Sequence, residues 1–134
     1  MARRESIYSK GVVKSGHIPT GCRVDNILWS SIIFGRDPAT GKLASTVEGQ
    51  VAHVFASIRE TVELAGGSME DIVKLTVWLG DKKHREIVND SWMAMFPDKT
   101  SRPARTTLNA DLDDGTYIQC EFMAVLPGRT SGVG

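Results

Sequence analysis

Arg102-Pro103-Ala104-Arg105-Thr106-Thr107, continued by Leu108-Asn109-Ala110-Asp111-Leu112, decides how this chain is read. Proline lacks a backbone N–H and disfavours helix in the residue before it, so Pro103-Ala104 launches an extended segment. Arg105 then enters a strand at a fixed place, carrying a planar, permanently charged guanidinium that suits a carboxylate. The turn residues Asp113-Asp114-Gly115-Thr116 separate this strand, Arg105 to Leu112, from another, Tyr117 to Leu126.

Strand alternation puts Arg105, Thr107 and Asn109 on one face of the first, and Gln119 and Glu121 on one face of the second. The two are expected to form a hairpin, in which a two-residue Asp114-Gly115 turn sets Arg105 against the apolar face of its partner. A three-residue loop that pairs Leu112 with Thr116 matches apolar with apolar instead, and hydrophobic matching favours it. That register places Asn109 beside Gln119, Thr107 beside Glu121 and Arg105 diagonal to Glu121. The resulting polar row reads as a solvated face with a weak Arg-Glu pair, as the wet rim of a subunit interface, or as a pocket with a cationic anchor.

Upstream, Asp81 caps a helix that runs to Phe96, buries Ile87 or Val88, Trp92, Met93 or Met95, and Phe96, and ends at Pro97. Ile72 to Leu79 alternates Val73, Leu75, Val77 and Leu79 against Lys74, Thr76 and Trp78, the period of a half-buried strand. The longest stripe is Val47, Val51, Val54, Phe55, Ile58, Val62 and Ala65. It follows a capping box at Ser45 and Glu48, and Gly66-Gly67 stops it. Before it come the turn Asp37-Pro38-Ala39-Thr40-Gly41, a strand from Arg23 to Phe34 with Ser30-Ser31 at its centre, and a short edge strand, Gly11 to Ser15.

The order β-β-α-β-α-β-β predicts one two-layer α+β domain over residues 1–134, with helices on one face of a mixed sheet. Nothing in the chain remains to cover the other face, so self-association is expected. Sixteen basic and sixteen acidic residues cancel, which argues against nucleic acid as a partner. Cys22 and Cys120 form no CxxC and read as reduced and intracellular, the expected location being the cytoplasm. No apolar run approaches the ~18 residues of a membrane span. His17, His53 and His84 lack metal-ligand spacing, so no metal site is expected.

Several separated segments resemble the RidA family (YjgF/YER057c/UK114), over about Gly16 to Pro127. They are Asp37-Pro-Ala-Thr-Gly41, the run Ala65-Gly66-Gly67-Ser68-Met69-Glu70-Asp71-Ile72-Val73-Lys74, the run Val88-Asn89-Asp90-Ser91-Trp92-Met93-Ala94-Met95-Phe96, and Pro103-Ala104-Arg105. The resemblance implies a chorismate-mutase-like fold and a homotrimer whose sheets line a barrel, with ligand sites in the clefts between subunits. In many members it implies hydrolysis of enamines and imines such as 2-iminobutanoate and 2-iminopropanoate to 2-oxo acids and ammonia, with no metal or organic cofactor. Arg105 then binds the substrate carboxylate, Asn89 stands for a recurring asparagine, and the backbone near Thr107 helps direct a water.

The chain departs from the family pattern at several of these places. The glutamate that helps hold the water in active deaminases aligns with Gln119, which can hydrogen-bond a water but cannot take its proton; Glu121 shares its face two residues on. Ile18 replaces a tyrosine, and Ser31-Ile32-Ile33-Phe34-Gly35 replaces a Ser-Gly-Gln-Ile-Pro run, which implies a more apolar cleft. Three functions follow from the resemblance: imine deaminase, non-catalytic binder of small carboxylates, and the ribonuclease or translation inhibitor attributed to some relatives. Neutral charge and the lack of an acid-base pair argue against the third.

Overall fold

The longest apolar stripe forms the longest element, helix α1 (Val47–Leu64), which buries Val51, Val54, Phe55, Ile58 and Val62. Its cap lies one residue later than expected. Thr46 is extended, and its Oγ1 accepts from the Gly49 amide at 3.0 Å, while Glu48 sits favourably in the first turn. Thr46→Ala is therefore expected to cost about 1 kcal/mol, read as a lower urea midpoint, whereas Ser45→Ala should leave the midpoint unchanged. Gly66 follows the helix with φ of 95°, a conformation that glycine adopts without penalty. Arg23, 7% exposed, closes that helix end: its guanidinium donates to the Ala65 carbonyl and, at 2.7 Å, to the Asp25 carbonyl.

The computed structural model describes residues 3–10 and 17–128. The edge strand expected over Gly11–Ser15 lies outside them. The strands are β1 (Glu5–Ile7), β2 (Gly21–Val24), β3 (Ile27–Ser30), β4 (Ile33–Phe34), β5 (Ile72–Leu79), β6 (Ala104–Asn109) and β7 (Ile118–Val125). Helix α2 (Arg85–Met95) follows a 3-10 turn at Lys82–His84, which Asp81 caps by accepting from the Lys83 amide. The strands form one open mixed sheet in the order β1-β2-β3-β7-β5-β6, with β4 also beside β7.

Three sequence expectations are corrected here. The strand predicted from Arg23 to Phe34 is three strands, because Asp25 adopts a positive φ of 53° and folds β2 back on β3, and the chain breaks again between Ser30 and Ile33. Val73 points outward, because a bulge between Ile72 and Lys74 shifts the alternation.

The third correction matters most: β6 and β7 do not pair. The β5–α2–β6 segment is a parallel crossover, and β7 inserts on the other side of β5, antiparallel to it. Apolar matching decides this. Ile118, Cys120 and Phe122 of β7 lie beside Leu79, Val77 and Leu75 of β5, all buried. The more polar β6 takes the edge. The long connection from β6 to β7 is held by Gln50, which is fully buried on α1. Its Nε2 donates to the carbonyls of Ala44 at 2.9 Å and Gly115 at 2.6 Å, and its Oε1 accepts from the Tyr117 amide at 2.8 Å.

Helices cover one face of the sheet, and the core lies between. The other face carries Trp29, 57% exposed, with the exposed Ile27, Leu108 and Val125. Among the described residues no helix is long and apolar enough to cross a membrane, and no three His, Cys, Asp or Glu residues group where they could hold a metal.

Candidate functional site

Pairing in register puts side chains on a common face, so Arg105, Thr107 and Asn109 share the helix-covered side with Leu75, Val77 and Leu79. Gln119 pairs with Trp78 and Glu121 with Thr76, on the helix-free side. The polar row expected from a hairpin is thus split between the two faces of the sheet. Arg105 meets neither Gln119 nor Glu121 within one chain.

What Arg105 does meet is α2. Its guanidinium lies 5.3 Å from the centroid of the Trp92 ring, and its Nε donates to Thr107 Oγ1 at 2.8 Å. Trp92 is braced in turn by an edge contact with Phe96, the ring centroids 4.8 Å apart. One side of the guanidinium is thereby fixed by a π face and its Nε is occupied, which leaves the terminal nitrogens to offer a planar fork. No described carboxylate lies within ion-pair distance of Arg105. Burial pulls its pKa below the ordinary value; the Cys120 thiolate would act in the opposite sense, and the like charge of Arg85 again lowers it. Cys120 itself is fully buried, and that burial pushes its thiol well above the usual range, so beneath Arg105 it stays neutral.

Asn89 stands on α2 between Arg85 and Trp92. At 100° per residue, the three fall on one stripe beside the Arg105 side of β6. Arg105 thus meets Thr107 and Trp92 directly, and helix geometry sets Asn89 on the same stripe of α2 as Trp92. Phe34 is elsewhere: it pairs with Gln119 across β4 and β7, on the helix-free face. Ile18, 68% exposed, precedes β2. Sequence reasoning took Trp92 for core bulk and passed over Arg85. The spacing 85–89–92 was the available signal. Trp92→Leu is expected to weaken carboxylate binding by about 1 kcal/mol, with Trp92→Phe intermediate, when titrated calorimetrically.

Among the described residues, a mixed seven-stranded sheet with two helices on one face and an arginine without a carboxylate partner at the edge strand defines an α+β class. The profile of the Endoribonuclease L-PSP family matches residues 8–125, and the chain belongs to that family. It is 31% identical over 123 residues to a RutC family protein of Aquifex aeolicus, covering 91% of this chain and 98% of that one. It is 30% identical over 127 residues to a 2-iminobutanoate/2-iminopropanoate deaminase of Capra hircus, covering 93% and 91%. Among solved structures, RidA of a Psychrobacter species superposes with a TM-score of 0.82 at 27% identity, over 91% of this chain and 99% of that one. The family places the RidA resemblance on firm ground.

Proposed function

We propose that this chain hydrolyses small carboxylate-bearing imines and enamines to 2-oxo acids and ammonia, and that it does so as a homotrimer. The observation that carries the reading is the Arg105 guanidinium, half-buried, unpaired, seated on Trp92 and steered by Thr107. Similarity to proteins named 2-iminobutanoate/2-iminopropanoate deaminase supports the same chemistry. Arg105 clamps the substrate carboxylate, with Asn89 and Thr107 beside it. Water adds to the C=N carbon, a proton passes to the nitrogen, and the carbinolamine collapses to the 2-oxo acid and ammonia. Orientation supplies most of the advantage, since imines hydrolyse unaided.

Gln119 holds the water and Glu121 takes its proton, with Phe34 and Ile18 as an apolar wall. Because Arg105 and this second group lie on opposite sheet faces, they meet where the α2–β6 edge of one copy abuts the helix-free face of the next. The exposed Trp29, Leu108 and Val125 give that face apolar surface to bury. Light scattering coupled to gel filtration should return three chain masses, and a monomer at micromolar concentration contradicts the shared site. Co-refolding Arg105→Ala with Glu121→Gln tests the sharing itself: mixed assemblies recover imine hydrolysis that neither variant has alone, and no recovery counts against it.

A non-catalytic carboxylate binder is the second reading. It is favoured by the amide of Gln119 standing where the resemblance implies a carboxylate.

A further inference from the structure

Helix α2 and strand β6 pass one another in opposite directions, and two contacts fix their alignment. Arg102 Nε donates to the Phe96 carbonyl at 2.7 Å, and the Arg105 guanidinium sits 5.3 Å from the centre of the Trp92 ring. Further along β6, Thr107 and then Asn109 come level with earlier turns of the helix, where Asn89 and Arg85 stand. Arg85, Asn89 and Trp92 fall within an arc of about 60° on α2, so Arg85 stands on the stripe that meets Arg105, roughly 10 Å of helix rise away from Trp92. Arg85 also opens the helix, where the dipole favours a negative partner. No described carboxylate lies within ion-pair distance of either arginine. Within one chain the stripe therefore carries at each end a cation with no described carboxylate partner, with Asn89 and Thr107 between them.

We infer that Arg85 is a second anionic anchor, and that the α2–β6 groove selects carboxylates bearing a second negative group, dicarboxylic 2-oxo acids and their imines, over monocarboxylic ones. This rests on Arg105 being the first anchor, as in the proposed function. A monoanion leaves one guanidinium without a partner and repelled by the other, while a dianion long enough to reach both satisfies them and removes the repulsion. The like charge of Arg85 is already felt at Arg105. Because Arg85 is exposed, the selectivity is an electrostatic one that salt screens.

Calorimetric titration of the full chain with 2-oxobutanoate and with 2-oxoglutarate, at low and at physiological salt, tests the inference. The wild type is expected to bind 2-oxoglutarate about tenfold more tightly at low salt, with the preference shrinking as salt rises. Arg85→Gln should abolish the preference, keep the 2-oxobutanoate affinity and leave the melting temperature unchanged. Equal affinities in the wild type, or a preference that survives Arg85→Gln, overturns the second anchor. If 2-oxobutanoate binds and Arg105→Ala abolishes that binding while no preference exists, only the second anchor falls. If neither acid binds the wild type, both anchors fall together.

Discussion

Replacing Arg105 by alanine is expected to weaken the binding of small 2-oxo acids by about 10- to 100-fold, the loss of a charge-assisted bidentate contact worth roughly 1.5–3 kcal/mol. The effect should appear in binding and not in stability. Arg105 stands on an edge strand, half-buried, and makes no ion pair with a described carboxylate, so its removal leaves no buried charge behind. Arg105→Lys keeps the charge but loses both the planar fork and the Nε–H that donates to Thr107. It should recover only part of the affinity. Titration calorimetry on the three proteins measures this directly, and equal affinity in all of them would reduce Arg105 to a structural role.

Gln50→Leu is expected to be the most damaging conservative change in the core. The leucine fits the volume, yet it strips hydrogen bonds from the Ala44 and Gly115 carbonyls and the Tyr117 amide. Ala44 and Tyr117 are half-buried and Gly115 is exposed, so water replaces part of what is lost, and at about 1 kcal/mol for each bond a total on the order of 3 kcal/mol is expected. For a chain of this length that corresponds to a melting temperature lower by roughly 10 °C. The tight approach of Gly35 to Gln50, where an added Cβ would come within 2.6 Å of the Gln50 backbone, leaves little room for rearrangement. A melting temperature within a degree or two of wild type would mean that the β6–β7 connection is not held by this residue.

The same connection marks where the sequence stopped being legible. Helix α1 was plain, because its apolar stripe has a 3.6-residue period and a glycine stop; only the cap moved, from Ser45 to Thr46. The α+β class and the helix-sheet layering followed from element order. Strand partners did not. Alternation assigns each residue a face of its own strand but not which strand lies beside it, and Asp114-Gly115 looked like a hairpin turn although β5 separates β6 from β7. The signal missed was the β5–α2–β6 order, which favours a parallel crossover and leaves β7, with its buried Ile118, Cys120 and Phe122, to pair on the far side of β5. That error moved Glu121 and Gln119 to the same face as Arg105. The place of Arg105 on its strand was legible from Pro103-Ala104, and Thr107 two residues on does bond to it. Trp92 escaped notice as a partner because a buried tryptophan on a helix is indistinguishable from core until the strand beside it is known.

The most direct measurement follows imines made in situ by an amino-acid oxidase, with small and with aromatic side chains, in buffer, with the wild type and with Arg105→Ala. The account predicts that the wild type speeds imine loss above the buffer rate, more for aromatic than for small side chains, and that Arg105→Ala returns the rate to that of buffer. Wild-type rates equal to buffer for every imine, with 2-oxo acids still binding at Arg105, would contradict the deaminase and leave the carboxylate binder.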